Sequence, residues 1–529
     1  MLAKPEYFLQ QSAAKKQWDA IGIRQHHGVN LPLFALRSKK SCGIGEYPDL
    51  MPLLPWCREL NLDVLQLLPL NDTGQETSPY SALSALALNP IHLGLAQLPF
   101  LERFPELQKK LAPMQVLSQK QRIDYPQVYA AKRSFLQEYY KNAFPLIAST
   151  PEYQTFLKEN SWLNGYALFK AIKEQRYWQA WLEWPEELRA PSEAGFKDLV
   201  DRYQNEISYH SFIQYLCFQQ LEEVKKAAES EGVFLKGDIP ILTNRESADV
   251  WLYPHLFHLD YSAGAPPDMY SSEGQNWGFP IYNWDEHMKQ NYQWWRQRLT
   301  VTSKFYHIYR LDHVVGFFRI WAIPQGKSGN EGKFLPEDRS TWIPEGEKIL
   351  RMMLEVCPML PIGEDLGMVP PEVRACLSGL GICGTKVMRW ERMWDEDKRF
   401  IELNDYSPTS MTTVSTHDSE TLQLWWMRNI DEVKAFCEFK GWSFTYDLLR
   451  SRHRDILWDS HHTSSLFHIN LLQEYFPLVL GLPWPDSDDE RINIPGIVSN
   501  RNWTYRFRPY VEEIVSNNQL KNAIRDVVT

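Results

Sequence analysis

Cysteine is scarce in this chain: seven in 529 residues, an odd number without the close paired spacing of a zinc site. No uninterrupted apolar run approaches the roughly 20 residues that span a bilayer, and the opening "MLAKPEYFLQQSAAKKQ" is too polar for a signal peptide. These absences lead us to expect a cytoplasmic protein with no membrane partner. Basic charge is also short. Lys and Arg number 56 against 66 Asp and Glu, a formal net charge of -10, which leaves no basic face to spare for a nucleic-acid backbone. The chain has no G-x-x-x-x-G-K-[ST] loop, no glycine fingerprint after its first strand and no G-x-S-x-G elbow, which argues against phosphoryl, dinucleotide and serine-nucleophile chemistry. No His-x-x-x-His or Glu-x-x-His helical spacing accompanies its histidines and carboxylates, so neither a metal nor a cofactor is expected.

What is present is material for a large core and many aromatic faces. Hydrophobic residues make up 44% and charged residues 23%, with 21 Trp, 25 Tyr and 25 Phe; planar rings of this kind fill cores and also stack on sugars. Short β-branched runs end in polar or acidic residues: "VNLPLFAL", "LDVLQLLPLND", "VFLKGDIPIL", "FYHIYRLDH", "MLPIGEDLG", "GTKVMRW" and "MTTVSTHD". Helical patterns such as "PDLMPLLPWCREL", "SFIQYLCFQQLEEVKKAAESEG" and "TWIPEGEKILRMMLEVC" separate most of them. Such alternation predicts parallel strands with crossover helices. With "EYFPLVLGLPWP" as the eighth strand, the pattern predicts one catalytic (β/α)8 TIM barrel over 1–529. A mostly helical insertion is expected at 97–205 between strands 2 and 3, and a long substrate-side loop, rich in Gly, Pro and aromatics, at 239–286 after strand 3.

Barrel enzymes carry their chemistry at the C-terminal strand ends. Asp238 closes the third predicted strand, Asp312 the fourth, Glu364 the fifth and Asp418 the seventh, so four carboxylates converge on one mouth. Strand side chains alternate, which puts Arg310 and Asp312 of "YRLDHVVGFFRIW" together inside the barrel with Leu311 facing the helices. A guanidinium beside Asp312 favours the ionised carboxylate that attack on an anomeric carbon requires. A general acid has the opposite need, and burial with neighbouring carboxylates would keep Glu364 protonated. Each motif has a plainer alternative: a structural Arg-Asp pair, Asp365 capping a helix in "GEDLG", or Asp418 capping one that Thr421 begins. Two histidines adjoining these carboxylates, His313 and His417, add His-Asp pairs suited to gripping sugar hydroxyls.

Taken together, "TSPYSALSALALNP", "GDIPILTNRESADVW", "APPDMYSSEGQNWGFPIYNW", "RLDH", "GEDLG", "THD" and "NIPGIVSNRNWTYRF" resemble, in order, the motifs of the amylomaltases, the 4-α-glucanotransferases of glycoside hydrolase family 77 in the α-amylase clan. The resemblance spans most of the chain. It implies Asp312 as nucleophile, Glu364 as general acid/base and Asp418 as stabiliser of the distorted donor sugar. It implies further that Arg310 orients the nucleophile, that His313 and His417 bind donor hydroxyls, that Tyr80 stacks on the donor ring, that Asp238 lies at the donor site and that Trp277 sits on a loop over the acceptor. The implied activity is transfer of an α-1,4-glucan segment, with retention, to the 4-position of glucose or another glucan. Hydrolysis by the same residues, and a binder that has lost catalysis, are the competing readings. Two departures stand out: "VVGFF" follows the D-H pair where the family has F-R-G-F, and Arg245 and Glu246 replace smaller residues in A-H-x-S-A-D-V-W. An aromatic loop around Tyr270, Trp277 and Phe279 is the expected cover that would keep water out.

Overall fold

The computed structural model describes residues 5–267, 272–394 and 396–529. Eight parallel strands form its centre: β1 (His26–Leu31), β2 (Val64–Leu67), β3 (Phe234–Ile239), β4 (Ile308–Leu311), β5 (Leu360–Gly363), β6 (Gly384–Val387), β7 (Ser410–Thr413) and β8 (Phe467–Leu471). Their hydrogen-bonded order is β5-β4-β3-β2-β1-β8-β7-β6. A single parallel bridge from Ile362 to Cys383 joins the two ends of that order, giving the (β/α)8 barrel that the alternating runs predict.

Two strands differ from the sequence reading. The eighth is Phe467–Leu471, not "EYFPLVLGLPWP", whose first five residues lie in a 3-10 segment over Leu472–Leu478. Pro477 lies inside that segment and has no N–H to give to a central ladder. The first strand begins at His26 and stops at Leu31, because Pro32 follows and cannot donate. In β8 the polar side chains alternate with Phe467, Ile469 and Leu471; Asn470 bonds to Ser460 on helix Arg450–His461, so the polar face is turned to a helix.

Crossover helices cover the barrel. Helix Gln204–Glu231 leads into β3 and ends at Gly232, whose φ of +70° is the left-handed stop that glycine adopts without strain. Between β2 and β3 the chain forms helices Tyr125–Ile147, Pro151–Glu159, Leu163–Gln175 and Glu193–Arg202. Side chains of Asp124, Thr150 and Ser192 accept from the first-turn amides of three of these, which explains where they start. After β3, strand Tyr261–Ala265 pairs antiparallel with Ile320–Pro324 and with Gln275–Asn276, and Lys333–Leu335 completes a small outer sheet. No helix among the described residues is long and apolar enough to cross a membrane.

Candidate active site

Register, more than local sequence, builds the site. Asp238 on β3 lies directly opposite Arg310 on β4, so both side chains enter the barrel at the same level. Nη1 of Arg310 donates to both carboxylate oxygens of Asp238, at 3.1 and 3.0 Å. Nη2 lies 2.7 Å from Asp312 Oδ1 and 3.8 Å from Glu364 Oε2. One planar guanidinium thus touches three carboxylates, a task its fork of donors suits and an ammonium's point charge does not. The Arg-Asp pair expected within "YRLDH" is present, and Arg310 also holds two partners from other strands.

Glu364 follows β5 and is gripped by the main chain. His313 N–H donates to Oε2 at 2.9 Å and Leu366 N–H to Oε1 at 3.0 Å. His313 reaches this position with a left-handed φ of +46°, a costly conformation for a non-glycine residue and one that gathers at functional sites. Burial pushes the Glu364 carboxyl up to about 7; the Asp312 charge adds to this, while Arg310 and the two amides pull back. The His313 ring is driven down to about 4 by burial and is therefore neutral. It packs edge-on against Trp277, with ring centroids 5.0 Å apart.

Across the mouth, His417 and Asp418 lie beyond β7. Asp418 accepts from Asn493 Nδ2 at 2.7 Å and lies 3.3 Å from His417 Nε2. Burial disfavours its charge, but His417 and the Asn493 hydrogen bond outweigh that and bring it down to about 2. Burial likewise opposes the His417 cation, which the Asp418 charge and hydrogen bond raise above the usual imidazole value. Tyr80 joins this side to the other: its hydroxyl donates to Asp238 at 2.9 Å and lies 3.0 Å from His417 Nε2. Its ring stacks on His417, with Trp503 tilted against both. Asp238 itself is raised by burial, against the pull of Arg310.

The capping alternatives do not describe these positions. Thr421 is the N-cap of helix Leu422–Arg428, accepting from Leu424 N–H, which leaves Asp418 to the site. Asp365 caps no helix: its Oδ1 accepts from Thr385 N–H on β6 at 2.7 Å, and Arg374 binds its Oδ2. All nine residues expected at the site, Tyr80, Asp238, Trp277, Arg310, Asp312, His313, Glu364, His417 and Asp418, are connected through these contacts. Tyr270 lies outside the described residues.

Several supporting residues escaped the sequence reading. Asn493 and Trp503 lie within the quoted C-terminal motif, but nothing local links either to Asp418 or Tyr80. Lys236, two residues before Asp238 and fully buried, donates to Gln66 Oε1 at 2.9 Å and to Met411 Sδ at 2.8 Å beneath the Arg310 network. Burial brings its ammonium down to about 7, with Arg310 adding to the shift. Glu474, just after β8, accepts from Ser415 Oγ at 2.5 Å and from Leu422 N–H at 3.1 and 3.2 Å. It therefore fastens both ends of the segment carrying His417 and Asp418. Replacing Glu474 with Ala strands a buried hydroxyl and a buried amide, and is expected to lower stability by about 2–3 kcal/mol in urea unfolding, with m unchanged. A loss below half of one kcal/mol, an order-of-magnitude threshold, would mean that the segment is held by other contacts.

The 4-alpha-glucanotransferase family model matches residues 31–512. The 4-alpha-glucanotransferase of Chlamydia caviae is 46% identical over 521 residues, covering 98% of this chain and 97% of its own. That of Thermus thermophilus is 32% identical over 463 residues, covering 84% and 87%. Among solved structures, the amylomaltase from Streptococcus agalactiae in complex with acarbose superposes with a TM-score of 0.82 at 26% identity, over 96% of this chain and 99% of that one. A family match over most of the length, on a barrel whose mouth gathers carboxylates, histidines and a guanidinium, places the chain in the 4-alpha-glucanotransferase family.

Proposed function

We propose that the protein is a 4-α-glucanotransferase that moves a segment of an α-1,4-glucan to the 4-hydroxyl of glucose or of another glucan. The observation that carries this reading is the guanidinium of Arg310, which holds Asp312 and Glu364 side by side. A nitrogen 2.7 Å from one carboxylate and 3.8 Å from the other keeps them no wider than the narrow end of the ~6.5–9.5 Å spacing of inverting pairs. We read the pair as the nucleophile and the acid/base of a retaining double displacement through a covalent ester, whose carboxylates stand ~5–5.5 Å apart.

In the first step Asp312 attacks the anomeric carbon, the glycosidic C–O bond breaks, and the proton on Glu364 passes to the departing 4-oxygen. The reducing-side fragment leaves, and the rest of the glucan remains esterified to Asp312. In the second step an acceptor hydroxyl attacks the same carbon, its proton goes to Glu364, and the ester bond breaks to regenerate the Asp312 carboxylate. Glu364, held near 7, suits both tasks. Asp418 remains ionised across this range and faces the positive charge that develops on the sugar ring. We read Tyr80, Asp238, His313 and His417 as donor-side contacts and Trp277 as lying over the acceptor. A cytoplasmic site of action belongs to the same reading, supported by seven cysteines that are all free thiols.

Incubation with maltotriose, without added metal, is expected to yield glucose and a ladder of longer maltodextrins on chromatography, with total reducing ends constant. Shorter sugars alone, with reducing ends rising, would make the protein a hydrolase. An unchanged substrate, across maltotriose and longer glucans, would leave the family's activity without a representative here.

A further inference from the structure

Arg245 and Glu246, the two departures in the loop after β3, pull in opposite directions. Glu246 binds Lys173 Nζ and accepts from Trp181 N–H at 3.1 Å, both on the helical segment between β2 and β3. Trp181 Nε1 in turn donates to the carbonyl of Arg245 at 2.8 Å. The Arg245 side chain points the other way: Nη1 donates to Leu259 O at 2.8 Å, and Nη2 to Tyr261 O at 2.9 Å and to Gln325 Oε1 at 3.1 Å. Lys173 and Trp181 are both buried, so the helical side of this clasp is set in a packed core.

The strand that Arg245 grips carries the acceptor-side aromatic. Ala263 on Tyr261–Ala265 accepts from Trp277 N–H at 2.9 Å and donates its own N–H to Phe279 O at 2.7 Å. Trp277 reaches back over His313, the neighbour of Asp312. An unbroken chain of contacts therefore runs from the helical segment through Glu246 and Arg245 to the outer sheet and to Trp277. Asp312 and Glu364 are held separately, by Arg310 and the His313 and Leu366 amides.

We infer that Arg245 and Glu246 are positioning residues that hold the Trp277 cover against the site and thereby decide whether a sugar or water opens the glycosyl-enzyme. The inference rests on the transferase reading above. Sugar and water compete for the same ester; a cover fixed in place orders the acceptor and excludes solvent, and a loose one admits water.

The test compares the native chain with R245A/E246A and with E246Q, using maltotriose and counting reducing ends formed against glucan bonds transferred. The partition between hydrolysis and transfer is counted per turnover by folded molecules, so partial misfolding does not move it. The double variant is expected to raise the hydrolysis share about tenfold, with donor cleavage within about threefold of native, and E246Q to fall between the two. A partition unchanged within about twofold, an order-of-magnitude margin, in both variants would overturn the inference. A native chain that releases reducing ends with every cleavage would overturn the transferase reading itself, a result readily told apart from the first.

Discussion

Asp312→Asn protein is expected to release glucose from maltotriose at least about 10⁴-fold more slowly than the native chain. An amide matches the carboxylate in shape but is neutral and a poor nucleophile, so the ester on which both half-reactions depend cannot form. The fold should survive. Arg310 loses one partner at 2.7 Å but keeps both hydrogen bonds to Asp238, and the substituted side chain is partly exposed. Initial rates of glucose release, with unfolding curves alongside, check this. A residual rate within about a hundredfold of native would remove Asp312 from the nucleophile's role.

Glu364→Gln separates the two half-reactions. With a natural glucan the loss is expected to be about 10²–10⁴-fold, because the departing oxygen goes unprotonated. With α-glucosyl fluoride, whose leaving group needs no proton, the first step should persist while the second, which needs a base, stalls; a glucosyl ester on the protein then accumulates and is visible by intact mass. The pH dependence follows from the same group. Glu364 is protonated below about 7, so turnover of a glucan by the native chain falls as pH rises through that value. Fluoride consumption by the Gln variant should lack that limb. Equal losses with both donors, and no ester, would place the general acid elsewhere.

Much of this site is legible in the sequence, for a physical reason that also marks the limit. Alternation along a strand is a local property, so the pairing of Arg310 with Asp312 could be read from two-residue spacing. The stronger pairing with Asp238 depends on the register of β3 against β4, which no local pattern encodes. Strands β3, β4, β5 and β7 announce themselves by short runs ending in carboxylates. Strand β8 does not, because His468 and Asn470 interrupt it with polar groups, bonded to Thr463 and Ser460, and an apolar run a few residues on resembles a strand more closely. Asn493 and Trp503 arrive at the site from a distant loop with no periodicity to betray them. The departures at Arg245 and Glu246 were visible as departures, but that they join the helical segment to the outer sheet required the fold.

The seam of the barrel gives the two carboxylates proposed as nucleophile and acid/base unequal footing. Strand β4, which delivers Asp312, is laddered over its length to β3 on one side and β5 on the other. Strand β5, which delivers Glu364, has a full ladder only to β4; toward β6 it has the Ile362–Cys383 bridge, the Thr385 hydroxyl on Gly363 O and the carboxylate of Asp365 on the Thr385 amide. A nucleophile must meet one carbon at one place, and its strand is laddered on both sides. An acid that later serves as base has to follow an oxygen as it departs and another as it arrives, and its strand is laddered on one side and bridged on the other.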